Sequence, residues 1–270
     1  MLTLRHIEKT FNPGTINEVR SLDRVSLDIP PSSFVMVLGT NGSGKSTLLN
    51  AVAGTFPIDA GSIHLASRDI TSWPEHRRAQ LIGRVFQNPL GGTAPDLSIA
   101  ENLALASRRG LPRPLSWALR RPVLESFRDR VRQLNMGLEN RLDNAMGSLS
   151  GGQRQALTLL MATWRQPHLL LLDEHTAALD PKSADQVIRL TEDIVASQKL
   201  TTLMVTHSMH QAVSLGDRLI MMHRGRIVFD AQGPEKKRLR VPDLLARFDD
   251  IRRREQLTPS LAAWLRDHYL

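Results

Sequence analysis

Cysteine is absent from this 270-residue chain, and aromatic residues make up only 4% of it. Without cysteine the chain can form neither a disulfide framework nor a Cys-ligated zinc site, which fits a reducing compartment such as the cytoplasm. No apolar run approaches the roughly 20 residues that a membrane-spanning helix needs. The first residues, MLTLRHIEKTF, alternate in polarity and carry charge, so we do not expect a secretory signal.

The net charge of +8 is compatible with an anionic partner. However, the basic residues are scattered over clusters at 108–109, 120–121, 236–240 and 252–254, and aromatic residues do not interleave with them. Bases of single-stranded nucleic acid stack on aromatic side chains, so we expect no nucleic-acid partner. A solvated face is the first interpretation of these clusters, and a face apposed to a membrane is the second.

A glycine-rich segment, GTNGSGKST, joins the strand-like run FVMVL to the helix-like run LLNAVAG. Its spacing, G-x-x-x-x-G-K-S, is that of the phosphate-binding loop, in which backbone N–H groups wrap a polyphosphate. Lys45 would reach the β- and γ-phosphates, Ser46 would ligate Mg²⁺, and the positive end of the following helix would attract the anion. The predicted nucleotide-binding residues are Gly39, Thr40, Asn41, Gly42, Ser43, Gly44, Lys45, Ser46 and Thr47.

A second motif, LLLLDE at 169–174, places two carboxylates at the exit of a buried strand. Parallel sheets carry their sites at the carboxyl ends of the strands, so Asp173 should lie at the same edge as Lys45. Asp173 suits a place beside Mg²⁺, and Glu174 could polarise a water in line with the γ-phosphate. Aliphatic residues followed by DE are common by themselves. Together with the glycine-rich loop they predict nucleotide hydrolysis.

A third motif, LSGGQ at 149–153, opens a predicted helix with one hydroxyl and two glycines. Bare amides, a hydroxyl and a helix N-terminus would form a second phosphate receptor from Ser150, Gly151, Gly152 and Gln153, which the Lys45 site does not need for itself. An N-capped helix with a flexible lead is the alternative for this motif alone. With LSGGQ some twenty residues ahead of LLLLDE, the sequence resembles the ATP-binding cassette (ABC) ATPases, the motor subunits of ABC transporters.

The resemblance covers roughly residues 1–235 and assigns roles to further residues. Phe11 matches the aromatic residue that stacks on adenine, with a core phenylalanine as the alternative. Gln87 matches the catalytic glutamine that links Mg²⁺ and the attacking water to the membrane subunit. His207 matches the switch histidine that contacts the γ-phosphate, and Asp180 matches the residue that meets the opposite subunit. His175 stands where many members carry proline, and we assign it no chemistry.

Strands that alternate with helices predict an α/β fold. We expect a RecA-like P-loop core, with a largely parallel sheet covered by helices on both faces, an antiparallel β region, and an inserted helical subdomain at about 89–155. The ATPase domain is predicted at 1–235 and a C-terminal helical extension at 236–270. Within that extension Thr258–Pro259 should open a second helix. The segment from 217 to 231 should form a hairpin that turns at Arg224–Gly225.

A phosphate bound by one subunit's glycine-rich loop and another subunit's LSGGQ implies a homodimer with two ATP molecules at its interface. The resemblance also implies separate integral-membrane permease subunits, contacted through the segment after Gln87 that includes Leu97 and Ile99. A periplasmic or lipoprotein solute-binding protein is a further expected partner. We therefore expect a peripheral protein on the cytoplasmic face of the inner membrane, with ATP and Mg²⁺ as cofactors. The sequence around Gln87 and Glu174 is similar to that of the ATPase subunits of bacterial importers of small organic solutes such as amino acids. Some exporters also use a separate ATPase subunit.

The main alternative is a soluble ABC ATPase that acts on ribosomes or DNA. Translation-factor types carry two cassettes in one chain, whereas this chain has one glycine-rich loop and one LSGGQ. DNA-repair types interrupt the cassette with a long coiled coil, which cannot run through the prolines at 89, 95, 112, 114 and 122. A nucleotide-dependent regulator without turnover is expected to lack Glu174 or His207. The sequence therefore favours a transporter ATPase.

Overall fold

The computed structural model describes residues 1–111 and 119–256, with side chains as far as residue 251. The strands are β1 (Leu2–Phe11), β2 (Val19–Ile29), β3 (Phe34–Gly39), β4 (Ala60–Leu65), β5 (Arg68–Asp69), β6 (Ile82–Val85), β7 (Leu169–Asp173), β8 (Thr202–Val205), β9 (Arg218–His223) and β10 (Arg226–Gln232). The helices are α1 (Lys45–Ala53), α2 (Glu75–Arg78), α3 (Ile99–Ser107), α4 (Arg121–Arg132), α5 (Gly151–Thr163), α6 (Pro181–Gln198), α7 (Met209–Ser214), α8 (Gly233–Arg238) and α9 (Val241–Gln256).

The strands form two sheets. The larger has the order β10-β9-β3-β8-β7-β6, in which the neighbours from β9 to β6 are parallel and β10 pairs antiparallel at the edge. The smaller sheet, β2-β1-β4-β5, is antiparallel throughout. The hairpin of β9 and β10 turns at Arg224–Gly225, as the sequence predicts. The predicted fold class, a largely parallel sheet with an antiparallel region, is confirmed.

The central strands are apolar on both faces, and their side chains alternate between two cores. Val35 and Val37 of β3 point into a cluster that also contains buried residues of α1 and of the antiparallel sheet. Met36 and Leu38 point the other way, into a cluster with α6, α7 and α9. Because both faces of β3 are buried, this central strand is a rigid support for the loop that follows it at the carboxyl ends of the parallel strands.

Helices α3, α4 and α5 share a third apolar cluster. Phe127 and Val131 are the buried side of the otherwise charged helix α4, and the Phe127 ring meets Trp164 edge-on at 5.3 Å between centroids. Helix α3 begins with a capping box, in which Ser98 and Glu101 each accept a hydrogen bond from the other's backbone N–H. These helices occupy much of the predicted helical insertion, whose domain bounds stay a prediction.

The run LIGRVFQ predicts a strand as far as Gln87, but β6 ends at Val85. The carbonyl of Phe86, the next residue, accepts a hydrogen bond from the Gln155 side chain (3.1 Å). At the C-terminal end, α9 begins at Val241 and buries Leu244. The helix expected from Thr258–Pro259 lies outside the described residues. In the part of the chain that the structure describes, no helix is both long enough and apolar enough to cross a membrane.

Candidate functional site

The glycine-rich loop connects the end of β3 to the start of α1, and close backbone contacts explain its glycines. A Cβ on Gly44, whose φ is +99°, would lie 2.4 Å from the Ser21 carbonyl oxygen. A Cβ on Gly39 would lie 2.4 Å from the carbonyl oxygen of Met222. At Gly42, with φ of +76°, a Cβ would meet no atom within 4 Å. The loop is therefore closely packed at Gly39 and Gly44 and open at Gly42, and it leads directly into the N-terminus of α1. An open loop of backbone N–H groups at a helix N-terminus is what polyphosphate binding requires.

Lys45 closes this loop from the inside. Its Nζ donates to the carbonyl oxygens of Gly39 (2.8 Å) and Thr40 (3.0 Å), and the residue is 5% exposed. Burial lowers the pKa of Lys45, and the charges of Glu174 and Asp173 oppose that shift. The ammonium group thus lies at the loop and in the field of both predicted carboxylates, where it can also reach a bound phosphate.

Ser46 and Asp173, the two residues predicted to hold Mg²⁺, lie beside each other. Ser46 Oγ lies 3.5 Å from Asp173 Oδ1, and Arg84 Nη2 lies 3.9 Å from the other carboxylate oxygen. Burial raises the pKa of Asp173, and the nearby Arg84 charge is the largest opposing effect. A hydroxyl and a carboxylate are hard oxygen ligands of the kind that Mg²⁺ takes, with its remaining positions filled by phosphate oxygens and water. The two residues fit Mg²⁺ in that mode. Among the described residues no group of three or more His, Cys, Asp or Glu converges as a metal cage.

Two of the three predicted catalytic residues, His207 and Gln87, contact the carboxylate of the third, Glu174. His207 Nε2 lies 2.5 Å from Glu174 Oε1, and Gln87 Nε2 donates to Glu174 Oε2 at 3.2 Å. Glu174 is 8% exposed and has a left-handed backbone, with φ of +45°. For a side chain other than glycine this conformation costs about 1–3 kcal/mol, and such strain clusters at functional sites. The loops after β6, β7 and β8 thus deliver their side chains to a single point.

The LSGGQ segment folds as a capped helix start. Gln153 N–H donates to Ser150 Oγ, Ser150 N–H donates to Gln153 Oε1, both at 3.3 Å, and Ser150 is exposed. A Cβ on Gly152 would lie 2.8 Å from the Ser183 Cβ, so the glycine lets α5 pack closely against the start of α6. Asp180, the exposed N-cap of α6, accepts from Ser183 N–H at 3.0 Å. The N-termini of α5 and α6 therefore form one surface that carries both Ser150 and Asp180.

Phe11 lies at the end of β1, where it pairs with Val19 of β2. Its neighbour Thr10 pairs with Arg20 of β2, and the next residue along β2, Ser21, contacts Gly44. The Phe11 ring also meets Phe56 edge-on at 5.3 Å between centroids. Its position suits adenine stacking, whereas its contact with Phe56 suits a core residue. Both interpretations stay predictions.

Three residues at the site were not predicted from the sequence. Arg84 Nη2 donates to Asn50 Oδ1 of α1 at 2.5 Å and lies beside Asp173. Gln155 donates a hydrogen bond from its side chain to the carbonyl oxygen of Phe86, the residue directly before Gln87. Gln211 of α7 contacts the loop that carries His207. A lone arginine in the apolar strand LIGRVFQ was a usable signal for Arg84, but neither glutamine had a local one.

A groove of ≈ 1050 Å³ runs beside this site, between β6 and α3. We name it the α3 groove. Phe86, Leu97, Leu105 and Arg109 are among the residues that line it. Leu97 and Leu105 are 37% and 61% exposed, so the groove presents apolar side chains to solvent. Ile99, by contrast, is fully buried in the helical cluster and cannot contact a partner. The expectation of partner contact therefore applies to Leu97 and not to Ile99.

Comparison with known proteins gives consistent matches. Residues 22–177 match the family model described as "ABC transporter". A tyrosine transport ATP-binding protein of Clostridioides difficile is 42% identical over 250 residues, which cover 92% of this chain and 99% of that protein. A sulfate/thiosulfate import ATP-binding protein of Nephroselmis olivacea is 36% identical over 228 residues, and the match spans 84% of this chain and 61% of that relative. A solved dimer of an ATP-binding cassette, in a post-hydrolysis state with bound ADP and Pi, superimposes with a TM-score of 0.74 at 25% identity and covers 86% of this chain and 98% of that one.

Proposed function

Because this chain belongs to the ABC transporter family of ATP-binding proteins and is an ATPase, we propose that it is the motor subunit of a bacterial importer of a small organic solute, such as an amino acid. The observation that carries this proposal is the convergence of Lys45, Ser46, Asp173, Glu174 and His207 at one edge of the sheet. A phosphate cradle, a Mg²⁺ pair and a carboxylate suited to polarising water are the parts that hydrolysis of a nucleoside triphosphate needs.

Each residue has a distinct proposed role. Lys45 and the backbone of the glycine-rich loop bind the phosphates, and Ser46 and Asp173 hold Mg²⁺, assisted by Gln87. When bound, Mg²⁺ neutralises charge on the phosphate oxygens. Glu174 orients and polarises the attacking water, and His207 donates a hydrogen bond to the γ-phosphate. Each oxygen of Glu174 keeps a lone pair beyond its contact with His207 or Gln87, and that lone pair can accept from the water.

The second half of each site comes from another copy of the chain. Ser150, the N-cap of α5, is exposed, as is Asp180 at the start of α6, and a helix N-terminus is a natural receptor for a phosphate. A receptor that lies on the surface can serve the ATP of a facing subunit. The dimeric cassette with ADP and Pi supports an arrangement of this kind. We therefore propose a homodimer that closes on two ATP molecules.

The α3 groove is the proposed contact with the permease. It opens next to the segment that links Gln87 to α3, so an occupant would touch the path from the catalytic loop to the helical region. Its exposed leucines suit an apolar helix face, and Arg108, which also lines the groove, suits an acidic residue of the same partner. Closing and opening of the dimer could then move the permease through this contact.

The solute and the location follow from the relatives. The name of the C. difficile relative includes tyrosine transport, and that match spans almost all of both chains, which supports an amino acid. The second relative is named for sulfate and thiosulfate, so the family covers chemically different solutes. A solute-binding protein outside the membrane and a peripheral place on its cytoplasmic face complete the proposal. The named relatives are transport proteins, which does not favour the alternative of a ribosome- or DNA-directed ATPase.

Two variants test the proposed roles. Glu174→Gln should abolish ATP turnover while ATP still binds, because the amide cannot polarise the water, and ATP-dependent dimers should then persist on a sizing column. Lys45→Ala should instead weaken ATP binding. Glu192→Gln, at an exposed position on α6, is the matched control and should turn over ATP normally. A Glu174→Gln protein with the control's rate would contradict the assignment of Glu174.

A further inference from the structure

The side chain of Gln211 on α7 connects the two loops that carry Glu174 and His207. Thr206, directly before His207, donates from Oγ1 to Gln211 Oε1 at 2.7 Å. Gln211 Nε2 donates in turn to Thr176 Oγ1 at 3.4 Å, two residues after Glu174. One amide therefore spans the loop after β7 and the loop after β8.

The neighbouring hydrogen bonds agree with this direction of the amide. Thr206 Oγ1 accepts from Ser208 N–H at 3.0 Å, so its own hydrogen is free to point at Gln211. Thr206 and Thr176 are 3% and 8% exposed, so bulk water competes little for these hydroxyls. Helix α7 is itself anchored at its start, where Ser208 Oγ accepts from Gln211 N–H at 3.3 Å. The carbonyl oxygen of Gln211 accepts at one loop and its NH₂ group donates at the other.

The bridge lies close to the contact that the two loops make with each other. Glu174 N–H donates to the carbonyl oxygen of Val205 at 3.1 Å, which links the two backbones on one side. The Gln211 amide adds a second link beyond Thr206 and Thr176. With two hydrogen-bonded connections the two loops cannot rotate freely relative to each other, whereas a single connection would let them rotate about it. Glu174, with its left-handed backbone, and His207 meet across these two loops at 2.5 Å.

We propose that Gln211 is a positioning residue for ATP hydrolysis, which holds the loops after β7 and β8 in register so that Glu174 and His207 act together. It touches neither the nucleotide nor the reacting atoms, and it acts through the two threonines. This inference rests on the catalytic roles proposed for Glu174 and His207. A displacement of about 1 Å between catalytic groups can cost about 100-fold in rate, so a small hinge motion is sufficient to matter.

The test uses the purified full-length chain, with kcat, KM for ATP and melting temperature measured for each variant. Gln211→Leu keeps the volume and removes both hydrogen bonds, and we expect kcat to fall about 10- to 100-fold while KM for ATP changes by less than about threefold. Gln211→Glu, whose two oxygens can accept from both threonine hydroxyls, should retain most of the kcat. His210→Ala, at the neighbouring position of α7, is the matched control and should behave as wild type.

A double-variant cycle separates a bridge from simple packing. Thr176→Val removes only the hydroxyl at one end of the bridge and should lower kcat by itself. In the double variant with Gln211→Leu, kcat should fall no further than in the more damaged single variant. Multiplicative losses would overturn the bridge, as would a Gln211→Leu protein with wild-type kcat or one in which kcat, KM and melting temperature all deteriorate together. If Gln211→Leu does not fold, Thr176→Val and Gln211→Glu still decide the matter through kcat.

Glu174→Gln in the same series distinguishes the two proposals. If Glu174→Gln hydrolyses ATP normally, the catalytic assignment fails and the role of Gln211 falls with it. If Glu174→Gln is inactive while Gln211→Leu is fully active, only the positioning role of Gln211 fails.

Discussion

His207 Nε2 lies 2.5 Å from Glu174 Oε1 while Gln87 donates to the second oxygen of the same carboxylate. Both oxygens of Glu174 are therefore contacted by side chains, which hold the carboxylate in place, and each oxygen keeps a further lone pair that can accept from a water. If His207 turns towards a γ-phosphate, its place beside Glu174 Oε1 becomes open to that water. The contact between His207 and Glu174 thus links nucleotide binding to the water-activating group.

Replacing His207 tests this relationship. His207→Ala should lower kcat about 10- to 100-fold, because a hydrogen bond to a charged group contributes about 1.5–3 kcal/mol. ATPase assays on the purified protein measure the effect. His168→Ala, at an exposed position before β7, is the control. A His207→Ala protein with the kcat of that control would remove His207 from the mechanism.

The sequence predicts the parts of this site that are encoded locally. The glycine-rich loop, LLLLDE and LSGGQ each combine chemistry with its structural context in a few adjacent residues, and the structure places Lys45, Ser46 and Asp173 close together. The fold class follows for the same reason, since buried strands are readable as apolar runs.

The supporting contacts are not encoded locally. Arg84 lies 34 positions from Asn50, and Gln211 lies 35 positions from Thr176. A short stretch of sequence therefore does not contain both partners of either contact. The residue after β6 shows the same limit. The Phe86 carbonyl accepts a hydrogen bond from the side chain of Gln155, which is 69 positions away. Tertiary hydrogen bonds of this kind can be found only once the topology is known.

Phe11 has two interpretations that one variant separates. If its ring stacks on adenine, Phe11→Ala should raise the KM for ATP, since one stacking contact is worth about 1–3 kcal/mol. If it serves the core through Phe56, the melting temperature should fall and the KM should stay the same. Phe56→Ala is the matched control, because it removes the same edge-on contact from the other side.

His175 should make the stability of the protein depend on pH. Its Nε2 lies 3.0 Å from Thr191 Oγ1, and complete burial lowers the pKa of the imidazole from 6.5 to about 4. The unfolded chain therefore binds this proton more tightly than the folded chain does. Stability is complete above the unfolded pKa and is lost as the pH falls from 6.5 towards 4.

Urea unfolding at pH 7 and pH 5 measures this effect. Between these values the buried imidazole should cost the wild-type protein about 2 kcal/mol in the free energy of unfolding. His175→Gln, whose amide can still donate to Thr191, should lose less than the wild type over the same interval. Equal losses in the two proteins would show that His175 is not held neutral by burial.

The α3 groove should be needed for transport but not for hydrolysis. Leu97→Glu places a charge on an exposed apolar wall, so uptake by the complete transporter should fall about tenfold or more, since desolvating an unpaired charge at an interface costs several kcal/mol. ATPase of the purified subunit should remain near the wild-type rate. Val228→Glu, at a similarly exposed apolar position on β10, is the control. Loss of ATPase in Leu97→Glu would indicate a folding defect instead of a lost partner contact.

The shared site is the central claim, and mixing two inactive variants tests it most directly. Lys45→Ala breaks the glycine-rich loop, and Ser150→Arg breaks the LSGGQ segment, so each homodimer has two broken sites. In a mixed dimer both lesions fall in one site, and the other site receives an intact Lys45 from one chain and an intact Ser150 from its partner.

ATPase activity and ATP-dependent heterodimer formation are measured together after mixing. Heterodimers that form without ATPase activity would show that hydrolysis requires two intact sites. We expect heterodimers with up to about half of the wild-type activity per dimer, as one of two equivalent sites is restored. Mixtures that form no ATP-dependent heterodimers and recover no ATPase would contradict the shared site.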